Sequence, residues 1–551
     1  MILFHKNPIQ ERGKHMKEIS RRSFLKGTAA AALGVVASTA LPTVAMADDE
    51  EVKYQIPELL SERDFEESMA EYKVITPEEE KDYDVVVVGA GTAGVPAALS
   101  AFEAGCSVAC LQKESIAIAQ GGNGSGFYLE KSDPLAVKRF IQAFNLDCNG
   151  RADIPHLKMY IETSGEVIDW IIDRVGKGGM EPANDHEQLF KFMEDGKEII
   201  CYNREINYGP KPLDVGDAMR ALAGYAAEQG VEFFYQTPGV QLVTTDGRVT
   251  GVIAYDMTAK KYIQFNGKKG VILATGDYQN NSAMVERFCP DVKDFDKKQY
   301  RKTGDGHLMG MLVGARMENV GHTHMMHDFD GGPMGSLPFL CVNDNGERFM
   351  NEETKHIWVN NILRTQPNPG WFTHVFDSDY ETTYVEAGYK PTPLASLERY
   401  IPGFAEDTTG LKKELLQTYR ADTLEELAEI IGIPADALIA SVERYNELCE
   451  KGVDEDFGKE SKNMIPIKTA PFWGIHRHIR VSSIDSGLIT DTRCRCVDKD
   501  GNVIPGLYAA GNTSGPLCGS NDWQMYCSGM SVGWGWVTGR RSGLCIAEEE
   551  V

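Results

Sequence analysis

The 551-residue chain is poor in positive charge, in patterned cysteine and in long apolar runs, and each shortage closes off a class of function. Lys and Arg number 56 against 81 Asp and Glu, a formal net charge of −25. The first 47 residues carry seven basic and two acidic side chains, so the remainder stands near −30. A surface of that sign repels nucleic acid and anionic lipid, which argues against both as partners. The 12 cysteines form no C-x-x-C-H and no repeated C-x-x-C, so attached haem, iron–sulfur and structural zinc are not expected. Cys494 and Cys496 alternate on a predicted strand and read as buried thiols. With no second redox centre in the chain, electrons must come from an external donor. The weakly apolar stretch at 27–45 contains Pro42 and several threonines. It is too weak for a membrane span, so a protein not integral to the membrane is expected.

That stretch belongs to an address label. Ser20-Arg21-Arg22-Ser23-Phe24-Leu25-Lys26 matches the twin-arginine export signal, and Ala45-Met46-Ala47 offers an A-x-A cleavage site. Residues 1–47 are therefore expected to be removed, with Met16 rather than Met1 as the initiator. Twin-arginine cargo crosses the membrane folded, the usual route for proteins loaded with a cofactor in the cytoplasm. The expected destination is the periplasm or the outer face of the cell membrane. Residues 48–79 are acidic and aperiodic and read as a linker. The rest is long enough for two or three domains with full cores.

Glycine is plentiful, at 55 residues, and it clusters. Asp84–Val88 has a buried-strand pattern, Gly89-Ala90-Gly91-Thr92-Ala93-Gly94 follows, then a helix over 95–104 and a strand over 107–111. Strand, G-x-G-x-x-G, helix, strand is the dinucleotide fingerprint. Gly89 permits the tight turn, Gly91 lets backbone approach a pyrophosphate, and Gly94 allows close helix–strand packing. Thr92 and Ala93 lead into the helix whose N-terminus faces the phosphates. Gln112, followed by Lys113, stands where an acid usually holds the ribose hydroxyls. Further segments are assigned to the same cofactor. Gly121, Gly122, Asn123, Gly124, Ser125 and Gly126 read as a glycine-rich loop. Thr275 and Gly276 follow a strand, Asp305 opens a helix, and Gly511 and Asn512 end another strand. Ser531 and Val532 lie in the last glycine-rich stretch.

Together these segments resemble the FAD-binding 2 superfamily, which includes fumarate reductase and succinate dehydrogenase flavoproteins, urocanate reductase and 3-ketosteroid dehydrogenases. The run Val342-Asn343 to Asn351-Glu352 and the helical stretch from Thr423 to Asn446, where Thr423 and Glu426 form a capping box, strengthen the likeness. The resemblance implies FAD and an α/β fold; its members hold the flavin covalently or non-covalently, and with no histidine evident shortly after the first glycine-rich region, where the complex-type enzymes attach it, non-covalent FAD is expected. A Rossmann-type FAD-binding domain in two segments, 80–314 and 485–551, is interrupted by an α+β capping domain at 315–484. Substrate would lie between cap and flavin.

The site departs from the fumarate-reductase type. There an arginine eight residues after the Arg348 position protonates substrate; here that position is His356, which can serve as a general acid. Ser483 replaces one clamp histidine, and Asp522 replaces the clamp arginine. An acid where a carboxylate should dock is repulsive, so fumarate is not the expected substrate. His322 or His324 falls near a third substrate-binding histidine. The spacing His322-x-His324-x-x-His327 also admits zinc, but the resemblance implies no metal there. Tyr526 falls in a region resembling ketosteroid dehydrogenases and could hold a carbonyl oxygen. Trp473, Met325, Met326 and Trp523 fit a larger, less charged substrate. The expected catalytic residues are thus His356, Tyr526 and Arg348, with His322, His324, Ser483 and Asp522 on the substrate. The expected reaction is reduction of the double bond of an α,β-unsaturated carbonyl compound by a cytochrome- or quinol-linked flavoprotein. Dehydrogenation of a ketone such as a steroid, and a non-catalytic electron carrier, stand as alternatives.

Overall fold

The computed structural model describes residues 75–209, 214–326, 329–515, 517–519, 523 and 526–550, except the side chains of residues 356 and 357. The twin-arginine motif, the cleavage site and the linker up to residue 74 lie outside those residues.

The chain opens with β1 (Glu79–Val88), α1 (Gly94–Glu103) and β2 (Val108–Leu111). Val85 to Val88 are buried, as a central strand covered on both faces requires. The linker ends sooner than expected: Glu79 already belongs to β1, and Ile75 is buried against Val240, Ile253 and Tyr255. Next come β3 (Asn123–Phe127), α2 (Pro134–Asp147), α3 (Ile154–Lys177), β4 (Asn184–Glu194), β5 (Lys197–Asn207) and α4 (Val215–Gln229). They are followed by β6 (Glu232–Phe234), β7 (Gly239–Thr245), β8 (Arg248–Asp256), β9 (Lys261–Leu273), α5 (Ser282–Phe288) and α6 (Asp305–Leu312).

The expected glycine-rich loop at 120–126 is a correction, because most of it is strand β3, paired antiparallel with β5. Its glycines answer to packing. A Cβ on Gly124 would lie 2.1 Å from the Trp536 ring, and one on Gly126 would lie 2.5 Å from the Ser164 carbonyl oxygen.

After β10 (His324–Met325) the chain builds a second body of β11 (Phe329–Asp330), β12 (Leu340–Val342), α7 (His356–Leu363), β13 (Trp371–Phe376), α8 (Tyr380–Glu386) and α9 (Leu394–Leu397). β14 (Thr418–Ala421), α10 (Leu424–Ile431), α11 (Ala435–Lys451) and β15 (Phe472–Ile479) complete it. Its antiparallel sheet runs β11-β15-β13-β12, with β14 on β15. Leu427, Leu438, Val442 and Tyr445 of α10 and α11 pack on Leu340, Val342 and Val375. The Thr423 hydroxyl caps α10 by accepting from the Glu426 N–H at 3.2 Å. The helical stretch is two helices, broken at Gly432 and Pro434.

The chain returns through β16 (Ser483–Ile484), β17 (Arg495–Val497), β18 (Val503–Ala509) and α12 (Met530–Ala547). β16 pairs antiparallel with β10, so the outgoing and incoming connections lie side by side. The large sheet reads β17-β18-β9-β1-β2-β6, with β8 on β9 and β7 on β8. β6, β2, β1, β9 and β18 are mutually parallel. From β1 the chain moves outward to β2 and β6 on one side, and to β9 and β18 on the other. That reversal opens a crevice beyond the carboxyl ends of the strands, where ligands bind in open α/β sheets. Among the described residues no helix is long and apolar enough to cross a membrane.

Candidate active site

The crevice is a cleft partly open to solvent, and Val88, Leu111, Ala274 and Ala510 at the strand ends are in its lining. The N-terminus of α1 faces it through Gly89 to Ala93, and the N-terminus of α12 through Ser531 and Val532. Both helix ends direct N–H groups and positive dipole toward the same space. Gly89 has φ +107°, and a Cβ there would lie 2.3 Å from the Ala274 carbonyl oxygen. A Cβ on Gly94 would lie 1.7 Å from the Gly89 carbonyl oxygen. No side chain fits at either place, so both glycines answer to close backbone approach.

Thirteen expected cofactor residues line this cleft: Gly89, Gly91, Thr92, Ala93, Gln112, Lys113, Thr275, Gly276, Asp305, Gly511, Asn512, Ser531 and Val532. Gly94 stands behind the turn. Gly121, Gly122, Asn123, Gly124, Ser125 and Gly126 are not in the lining; only Gln120 of that stretch reaches it. Gln112 Oε1 accepts from the Lys113 N–H at 2.9 Å. Lys113 Nζ donates to Thr303 Oγ1 and Asp305 Oδ2, both at 2.9 Å, in a nearly buried network. The lining residues not assigned from the sequence include Asp277, Arg301 and Lys302. They sit in loops after β9, where no spacing marks them. Burial holds the Asp277 carboxyl above its usual range and the Lys302 ammonium below its own, while their opposite charges pull back against both shifts. An elongated cleft with glycine-lined backbone, two helix N-termini and scattered cations suits a dinucleotide diphosphate, and the residues present fit FAD.

The connecting strands β10 and β16 lie next to the cleft, where the Ile484 N–H donates to the Asp277 carboxylate of the lining. His324 and Met325 register with Ile484 and Ser483. Ser483 Oγ donates to Asp485 Oδ2 at 2.7 Å, and Ser531 Oγ donates to Asp485 Oδ1 at 3.1 Å. Asp485 is therefore one hydrogen bond from the cleft. Burial, the larger effect, and the nearby Asp277 charge push its carboxyl up to about 7.

Arg348 and Tyr526, two of the three expected catalytic residues, do not come together at the cleft. Arg348 is buried in the second body, where its guanidinium donates to Glu352 at 2.8 and 2.9 Å and to Asp454 at 3.0 and 2.8 Å. Every nitrogen is engaged, which marks a clamp within that body. The Tyr526 ring stacks on Phe190 at 5.5 Å and tilts against Phe140 at 5.4 Å, outside the cleft lining. His356 begins α7, but its side chain lies outside the described residues, as do Asp522 and His327. His322 is buried with both ring nitrogens occupied, by the Tyr278 hydroxyl at 2.5 Å and the Glu318 carbonyl oxygen at 3.2 Å. Burial lowers its pKa to about 4, so it is neutral. His324 is fully buried, 3.5 Å from Cys289 Sγ and 3.4 Å from an Arg364 nitrogen. Trp473 and Met326 are corrections: Trp473 lies in the core of the second body near Phe376, and Met326 in the core between Rossmann sheet and connections.

A family model described as "FAD binding domain" matches residues 84–524, four-fifths of the chain. The chain belongs to that family. It is a FAD-dependent oxidoreductase. A second model, for the twin-arginine translocation pathway signal sequence, matches residues 18–38 and marks the flavoprotein for export. A vinyl phenol reductase of Lactiplantibacillus plantarum is 27% identical over 85% of this chain and 96% of its own. A 3-oxosteroid 1-dehydrogenase of Mycolicibacterium smegmatis is 26% identical over 80% and 93%. The solved open conformation of a flavocytochrome c3 fumarate reductase superposes with a TM-score of 0.65 at 23% identity, over 86% of this chain and 79% of that one. That likeness places the fold: a Rossmann-type FAD-binding domain interrupted by a capping domain.

Proposed function

We propose that this flavoprotein reduces the double bond of an α,β-unsaturated carbonyl compound or a similarly conjugated alkene, and that it does not reduce fumarate. Bound FAD, when reduced, supplies the hydride. The observation that carries the reading is the buried Asp485 carboxyl beneath Ser483. In the fumarate-reductase type that wall presents an imidazole to a dicarboxylate; here it presents a hydroxyl bonded to an acid. The Ser483 hydroxyl proton is already committed to Asp485, and neither group is a cation, so a dicarboxylate finds no charge-assisted donor at that wall. The likeness to a vinyl phenol reductase supports a conjugated, uncharged alkene.

We place the cap at 315–484, with FAD-binding segments on either side. The export signal supports work in the periplasm or on the outer face of the cell membrane, with electrons from a cytochrome- or quinol-linked donor. Ser483, His324 and Asp522 are the positions we assign to substrate, and we retain His356 as a proton donor from the cap. The likeness to a 3-oxosteroid dehydrogenase supports a second reading, dehydrogenation of a ketone.

The test is anaerobic reoxidation of dithionite-reduced holoprotein by fumarate, cinnamate, 4-vinylphenol, 2-cyclohexenone and a 3-ketosteroid. Fast reoxidation by a neutral conjugated alkene with none by fumarate is the expected result. Fumarate turnover at the rate of the best alkene overturns it. Oxidised enzyme bleached by a saturated ketosteroid favours the second reading.

A further inference from the structure

Two residues of the cleft lining, Ser531 and Asn512, share one buried acid, and their place in the crevice says which part of FAD they meet. In a dinucleotide fold the turn after β1 takes the diphosphate, and the end of β2 takes the adenosine ribose. Here β2 lies on one side of β1, with β9 and then β18 on the other. That leaves the end of β18 and the N-terminus of α12 for the flavin half, and there Asn512 and Ser531 stand half-buried in the lining. Behind them Asp485 is 7% exposed. Its Oδ1 accepts from Ser531 Oγ at 3.1 Å, its Oδ2 accepts from Ser483 Oγ at 2.7 Å, and the Asn512 side chain bonds the same carboxyl.

A carboxylate only accepts hydrogen bonds, whereas a protonated carboxyl also donates one. With Asp485 ionised, the Ser531 hydroxyl proton is committed to the acid rather than to the cleft. A proton taken on Oδ1 reverses that bond: the acid donates to Ser531 Oγ, and the Ser531 hydroxyl is free to donate into the cleft. Burial and the Asp277 charge bring the Asp485 carboxyl up to about 7, so it titrates near neutrality. Asp277, after β9, is the charge that acts on it most strongly, and Lys302 acts in turn on Asp277. His307, 3.2 Å behind the Asn512 carbonyl oxygen, and His322 are kept neutral by burial, at about 3 and about 4. His324 lies on β10, and the first two turns of α12 have no ionisable side chain. Glu318 is the other carboxyl that burial raises to about 7, but its partners, the Ser486 hydroxyl and the Gly487 N–H, are not in the lining.

We propose that Asp485 is a positioning residue for the cofactor: it takes up a proton as bound FAD is reduced, and so turns the Ser531 hydroxyl toward the flavin. Two electrons pass from the external reductant into the cofactor, and the proton on Asp485 comes from solvent, in addition to any that the cofactor takes itself. A cofactor that has gained negative charge favours a neutral neighbour and a donor aimed at it, at a helix N-terminus whose dipole already favours an anion. Reoxidation reverses the exchange, and Asp485 returns its proton to solvent. The acid thus raises the potential of the bound FAD when protonated and lowers it when ionised.

This rests on FAD binding and on no choice of substrate, so failure of the double-bond reading leaves the test intact. Holoprotein of the parent, Asp485→Asn, Ser531→Ala and Glu318→Gln is checked for FAD content and visible spectrum. The midpoint potential of the bound FAD is then measured anaerobically from pH 5.5 to 8.5 against reference dyes, with xanthine and xanthine oxidase as reductant. In the parent and in Glu318→Gln the potential should fall more steeply above about pH 7, by up to one further proton per two electrons. Asp485→Asn should lose the steeper segment, because a neutral amide keeps the hydrogen-bond pattern of the protonated acid at every pH. Ser531→Ala should lie below the parent at pH 5.5 and meet it at pH 8.5, where the parent's hydroxyl is spent on the acid. A parent slope equal to that of Asp485→Asn overturns the proposal, as does a steep segment lost in Glu318→Gln and kept in Asp485→Asn. If Asp485→Asn fails to retain FAD, Ser531→Ala decides: an offset from the parent that is the same at both ends of the pH range overturns it.

Discussion

At the scale of single residues, this protein shows how one neighbour changes what a side chain can do. Asp485 looks like any acid in sequence. In the fold it is enclosed, accepts from Ser483 and Ser531, and holds its proton up to about pH 7. Between pH 4 and 7 the folded chain keeps that proton and the unfolded chain loses it. Folding then takes up a proton, and rising pH opposes it. Asp485→Asn removes this linkage. The melting temperature of the variant relative to the parent should therefore climb between pH 4 and 7 and level off above, in parallel scans of both proteins. A constant difference across the range would show that Asp485 is already ionised when folded. Arg348 is the opposite case: a motif position read as catalytic turns out to be saturated by Glu352 and Asp454. Its motif marks it, and only its partners reveal its work.

At the scale of elements, local chemistry placed most boundaries. Asp133 with Pro134, Asp153 with Pro155, and Thr423 each cap the helix that follows them. Gly432 ends α10 in the left-handed region at φ +87°, with open space where a Cβ would sit. Gly432→Ala should cost only backbone strain, about 1 kcal/mol in urea unfolding, with FAD content unchanged. A neutral result would mean that the break between α10 and α11 tolerates a side chain. The 120–126 stretch misled because glycine signals both turns and close packing. Composition cannot separate a mobile loop from a strand pressed under Trp536. The two-residue strands β10 and β16 were equally hidden, since so short a pairing leaves no period to detect.

At the scale of the whole molecule, the FAD cleft gathers segments from β1 at one end of the chain to α12 at the other. A ligand held by both ends stabilises the folded state in proportion to its occupancy. Stripping FAD should lower the melting temperature by several degrees, and adding it back should restore the loss in a concentration-dependent way. An apoprotein melting at the holoprotein's temperature would mean that the cleft contributes nothing to holding those ends together. The sequence by itself determined the export signal, the dinucleotide turn, the α/β class and the family. Each is written in adjacent residues, because backbone geometry admits only glycine at a tight phosphate turn and a signal is recognised as a linear string. The tertiary structure alone decided which charges meet. Asp485 and Ser531, like Asp277 and Lys302, come from separate segments, and burial sets the proton affinity of each carboxyl only after those segments have packed.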